Sequence, residues 1–299
     1  MELMEKFQSV ELETDNRLDE EDRAFCARNQ KAYENAITAY TGLLSAWSEL
    51  EDTQRWLMED WPRYYLFGGE GTTLSVPRML EHIALLHRLF IERIVCRLYQ
   101  RYRVTFSVSQ LTDKLLPKRP AADADEENKK AYWETICTPI VHFKDVFDLI
   151  FAEMGGRDFP QYALYQLKKD CREAAWETRS THLGCAVEGD TVHFLGEFCR
   201  SFTEKDSYYD RVKVIWDLTE KMEKILYGAA HYETGRFKEY PAHLNDLING
   251  KCHCSEQEKF PGMKKLRGLR LYETGCVDVV FTSAAFAEGF VGTYLNEAE

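Results

Sequence analysis

The stretch Val76–Tyr102, VPRMLEHIALLHRLFIERIVCRLYQRY, constrains the fold more than any other part of the chain. Met79, Ile83, Leu86, Phe90, Ile94 and Leu98 recur at steps of three and four residues, which places them on one face of a helix. A second file of Leu85, Leu89 and Cys96 widens that face. The polar Glu81, Arg88, Glu92 and Arg101 are left on a narrow strip, so the spacing predicts a helix mostly surrounded by other elements. Ser75 is the expected N-cap, and Pro77 fits the first turn, where a missing N–H costs little.

The segment feeding this helix, FGGEGTTLS, is rich in glycine. Backbone N–H groups of such a turn can converge on an anion, so Gly69, Gly71, Thr72 and Thr73, with Arg78 as a fixed charge, form a candidate phosphate site. Trp61, Tyr64 and Tyr65 just upstream would offer faces for a stacked base. Against this, the phosphate-loop pattern requires a lysine after its last glycine, which is lacking, and Glu70 repels phosphate. The dinucleotide pattern lacks a preceding strand. A plain turn between two helices carries more weight.

At 299 residues the chain is long for one domain, so two domains or one enlarged domain are expected. No apolar run reaches about 18 residues, and the N-terminus is acidic where a signal peptide would be basic and then apolar. The expectation is a soluble, cytoplasmic protein with no membrane partner. The nine cysteines are odd in number and scattered through helical patterns, which reads as reduced thiols. A net charge of −12 argues against a protein coated in nucleic acid. More than half of that deficit sits in residues 1–22, which hold nine acids and two bases.

The expected fold class is α+β and predominantly α-helical: a bundle-like body around the 76–102 helix, with small β-hairpins in the C-terminal half. Residues 1–18 read as an acidic tail, 19–118 as an N-terminal helical domain and 119–130 as a linker. Residues 131–230 read as a second helical unit with a hairpin near 183–195, and 231–299 as a loop-rich lobe ending in a β-hairpin and a helix. Within these, a helix is expected from Asp19 to about Leu50, with a short one through Trp56. The acids Asp19 to Asp22 suit the positive end of a helix dipole better than a metal site, because adjacent helical acids diverge. Helix is expected again from Glu204, with Tyr208, Val212, Ile215, Met222 and Ile225 on one face.

The densest cluster of potential metal ligands is Cys252, His253 and Cys254, with His231, His243 and Cys276 nearby. Zinc takes thiolate and imidazole ligands, so this set is the candidate zinc site. The spacing is C-x-C rather than C-x-x-C, however, and two reduced thiols in a surface loop are the competing and stronger reading. His82 and His87 stand five residues apart, about 140° around the axis, and cannot chelate one ion together. His182 and Cys185 lack an orienting acid. Asp190 and Glu197 flank an expected strand without the lysine that a metal-dependent nuclease places nearby.

A basic patch remains. Lys264, Lys265, Arg267 and Arg270, with Lys259 before them, lie in a run without acids and suit a phosphate backbone or an acidic segment; a solvated face is the alternative. With no catalytic signature found, the sequence points to a binding protein whose partner is another protein or a nucleic-acid complex. The alternatives are an enzyme acting on nucleotides or nucleic acid, with zinc as a stabilising metal, and an acidic decoy of a nucleic-acid-binding protein.

Overall fold

The structure, a computed structural model, describes residues 18–58, 75–175, 184–206, 211–237, 240–250 and 252–296. The glycine-rich loop with Gly69, Gly71, Thr72 and Thr73, the acidic tail before Leu18, and His182 lie outside the described residues. The chain forms two compact units, residues 1–158 and 159–299. The 119–130 segment falls inside the first of them, and its second half already belongs to a helix.

In the first unit, α1 (Glu20–Met58) and α2 (Val76–Tyr102) run in opposite directions along each other. They are followed by α3 (Val108–Leu115), α4 (Glu126–Ile136) and α5 (Phe143–Met154). The sequence pattern suggests a break in α1 near Leu50, but the helix continues to Met58. Residues 43–58 contain neither proline nor glycine, so nothing interrupts its hydrogen-bond ladder. Helix α2 begins where expected, with the Ser75 hydroxyl accepting from the Arg78 N–H at 3.4 Å.

The buried side of α2 consists of Met79, Ile83, His87, Phe90, Ile91, Ile94, Val95 and Leu98. The expected second file is on the wrong side: Leu85 and Leu89 are 44% and 43% exposed, and Cys96 is exposed. The flank that widens the buried face is Ile91 and Val95, so α2 is partnered on one side rather than surrounded.

Two polar contacts fix the α1–α2 register. Asp22, 1% exposed, accepts from Arg97 Nε at 3.3 Å, Arg101 Nη1 at 2.7 Å and the Tyr102 hydroxyl at 2.6 Å. Further along, Tyr33 stacks on Phe90 with ring centroids 4.5 Å apart, and its hydroxyl meets buried His87. His82 sits at the boundary against the Tyr40 ring.

The second unit opens with α6 (Phe159–Ala175) and the hairpin β1 (Cys185–Glu188) and β2 (Thr191–Phe194), whose turn needs the positive φ of Gly189. A second hairpin follows, β3 (Cys199–Asp206) and β4 (Arg211–Leu218). This corrects the helix expected from Glu204. Helix returns only with α7 (Glu220–Thr234), because the run RVKVIWDL alternates and is rich in β-branched residues, which favours the extended state. After α8 (Ala242–Ile248) come β5 (Gln257–Lys259), β6 (Leu266–Leu271), β7 (Val277–Phe281), α9 (Ala284–Phe290) and a terminal π-turn, Val291–Leu295.

β1, β2, β7, β6 and β5 form one antiparallel sheet in that order, and β3 pairs with β4 separately. One face of the sheet carries Val192, Phe194, Leu269, Leu271, Val277 and Val279 into a core shared with α7 and α9. Phe194, Phe281 and Phe290 are fully buried there, and each such ring contributes roughly 1.5–3 kcal/mol. Gly228 lets α7 approach α6 closely: a Cβ at that position would stand 2.4 Å from Cys171 Sγ. Among the described residues, no helix is long and apolar enough to cross a membrane.

Candidate functional site

Because side chains alternate along a strand, the opposite face of the five-stranded sheet carries a different set of residues. The register places His193 of β2 beside Asp278 of β7, and Asp278 beside Arg270 of β6. Asp278 is 4% exposed, yet its carboxylate is well satisfied. Oδ1 lies 2.6 Å from His193 Nδ1, and Oδ2 accepts from the Tyr272 hydroxyl at 2.7 Å. That bond to Asp278, followed by burial, holds the Tyr272 phenol above its ordinary pKa. Nε2 of the same ring lies 3.8 Å from Glu188 Oε2. The pair is therefore an oriented imidazole on a sheet face.

Next to it the face deepens into a groove of about 480 Å³. Gly268 and Val280 line it together with Phe260 and Pro261, and Lys259, Arg267 and Arg270 bring positive charge. Gly268 is required by packing, since a Cβ there would lie 2.0 Å from the Glu258 carbonyl oxygen of β5. The groove thus exists where a side chain is missing and β5 closes in. β5 is also the last strand of its sheet, so one of its edges is not paired within the sheet.

The basic residues seen in the sequence do not form one patch. Arg267 and Arg270 line the groove, with Arg267 Nη1 3.4 Å from Asp190 Oδ2. Lys265 is instead turned inward: its ammonium donates to the Tyr232 carbonyl and lies 4.2 Å from the centre of the Tyr232 ring. The backbone N–H groups of Lys264 and Lys265 both donate to the Glu233 carboxylate at 2.7 Å, tying this turn to α7. Lys264 keeps an exposed side chain.

Two of the candidate zinc histidines are paired with carboxylates. His243 Nε2 is 2.8 Å from Glu258 Oε2, and His253 Nδ1 is 2.6 Å from Asp217 Oδ1. Cys254 is buried, its N–H donating to the Trp216 carbonyl at 2.8 Å, and desolvation pushes its thiol up to about 12. Cys252 is half-buried, as is Cys276, whose carbonyl oxygen lies 3.4 Å from Cys199 Sγ. Among the described residues, no three His, Cys, Asp or Glu side chains gather as a metal site. Arg78 is exposed in the first turn of α2.

His193 and Asp278 escape a reading of the sequence because 85 positions separate them and only strand pairing joins them. The available signal is a polar residue within each apolar strand, TVHF and VDVVF. Comparison with known proteins finds no match to a family model, to a curated protein or to a solved structure.

Proposed function

We propose that this chain is a binding protein, and that the β5–β6 groove receives an extended acidic segment of a protein partner. The observation that carries this reading is the groove itself: Lys259, Arg267 and Arg270, against one acid, Glu258, line it together with the apolar Phe260, Pro261, Leu269 and Val280, and β5 is the edge strand of its sheet. An extended segment laid along such an edge gains main-chain hydrogen bonds from the strand, while charge on its side chains sets the choice of partner. In a chain with net charge −12, a local group of cations selects for acid. The setting that fits is the reducing cytoplasm, because all nine cysteines are free thiols.

Fluorescence anisotropy with labelled polyglutamate, and with a single-stranded oligonucleotide of similar length, tests this. Polyglutamate is expected to bind in a salt-sensitive manner, and Arg267→Glu/Arg270→Glu is expected to weaken it about tenfold or more. Oligonucleotide binding tighter than polyglutamate at equal salt would move the partner to nucleic acid. Polyglutamate binding that the double variant leaves unchanged would overturn the assignment to this groove.

A further inference from the structure

A second groove, of about 490 Å³, lies in the first unit along the antiparallel pair α1 and α2. Its apolar wall is built from Phe25 of α1 and Leu86, Leu89 and Phe90 of α2. Leu89 is 43% exposed here, although it stands on a helix whose other face is fully buried. One guanidinium rises from each helix, Arg28 from α1 and Arg93 from α2, and neither has an ion-pair partner among the described residues. Asn29, nine-tenths buried, lines the same groove, and its amide nitrogen has no hydrogen-bond partner among the described residues. A buried donor in that state costs about 1–3 kcal/mol unless something accepts from it.

These three features point to the same ligand chemistry. Two unpaired guanidiniums and an unsatisfied amide donor call for an anionic head with several acceptor oxygens. The leucine and phenylalanine side chains call for an apolar tail. The lining residues on α1 run from Phe25 to Tyr33, about 12 Å of helix, which sets the scale of that tail. We propose that the α1–α2 groove binds a medium-chain organic anion, its head held by Arg28, Arg93 and Asn29 and its tail lying on Leu86, Leu89 and Phe90. The head is a carboxylate or a phosphate ester, which share this acceptor chemistry. This site is separate from the β5–β6 groove and does not depend on the function proposed for it.

The test is calorimetric titration of the full chain with octanoate, octyl phosphate and octanol. At least one anion is expected to bind saturably at one per chain, and octanol about tenfold more weakly or not at all. The stronger anion identifies the head group. Arg28→Gln/Arg93→Gln is expected to lower anion affinity about tenfold while leaving the thermal midpoint near that of the parent. Asn29→Leu separates a binding role from a structural one: it should weaken anion binding several-fold while stability holds or rises, because an unsatisfied buried amide is removed. Absence of saturable binding by both anions would overturn the proposal. Octanol binding as tightly as the anions, or a folded double-arginine variant binding them as well as the parent, would do the same.

Discussion

The Tyr33 hydroxyl lies 2.6 Å from His87 Nδ1, and His87 Nε2 lies 2.8 Å from the Ile136 carbonyl oxygen. A carbonyl only accepts, so Nε2 carries the ring proton and Nδ1 receives the hydroxyl hydrogen. The ring is held neutral between α1 and the end of α4, and burial pushes its pKa below the ordinary value. The sign follows directly. Below about pH 6.5 the unfolded chain takes up a proton at this residue that the folded chain resists, so stability is complete above that pH and falls as pH drops through it. Urea unfolding from pH 7.5 to 5 should show this decline. His87→Leu should flatten it without abolishing it, because His231 is depressed in the same direction by burial. Tyr33→Phe leaves Nδ1 unpaired and should cost about 1–3 kcal/mol at neutral pH.

Replacing Asp278 tests the sheet-face network. The Asp278→Asn side chain keeps its shape but cannot accept from both His193 and Tyr272 as the carboxylate does. A stability loss of about 1–3 kcal/mol is expected. The Tyr272 phenol should also titrate lower, towards its ordinary value, since the bond to Asp278 is the first cause of its raised pKa. Ring-carbon NMR of labelled tyrosine would follow it, and an unmoved Tyr272 titration would remove this account of the network.

Gly268→Ala should separate β5 from β6, because the added methyl would meet the Glu258 carbonyl oxygen at 2.0 Å. The neighbour is backbone and cannot swing aside, so about 1–3 kcal/mol is expected from overpacking. Hydrogen exchange provides the local readout: the Phe260 amide, which donates to the Arg267 carbonyl of the neighbouring strand, should lose protection while the amides of β7 keep theirs.

The thiols should react in a definite order. Cys96 is exposed, whereas Cys26 and Cys254 are pushed up to about 12 and Cys171 higher still, in each case mainly by burial. Native alkylation followed by peptide mass spectrometry should label Cys96 first and leave Cys26, Cys171 and Cys254 unlabelled until the chain is unfolded. Early labelling of Cys171 would mean that α6 and α7 separate in the native state.

Helix α2 was legible in the sequence down to its N-cap, because a long stripe at helical spacing leaves no competing reading. Its width was not. Periodicity locates the direction of a buried face, but whether Leu85 or Ile91 lies under the edge of a neighbour depends on which helix arrives and at what angle. The stretch after Glu204 misled for a different reason. Tyr208, Val212 and Ile215 fit helical steps while Val212, Val214 and Trp216 alternate, and pairing with β3 decides between the two. The candidate faces were the least legible part. The β5–β6 groove depends on a glycine under a carbonyl, and the His193–Asp278 pair on a strand register; one polar residue in each strand marks the pair's members but not their pairing.

The Asp22–Arg101 contact has a consequence for the far end of α1. Counted residue for residue from that contact, Val76 falls opposite Trp47, yet α1 is 39 residues long and α2 only 27. About 16 Å of α1 therefore runs on past the start of its partner, with Leu50 42% and Trp56 80% exposed. One continuous helix thus has two kinetic regimes. Near Asp22 its amides should exchange only when the pair comes apart, and beyond Trp47 they should exchange by fraying turn by turn, so the helix opens from one end only.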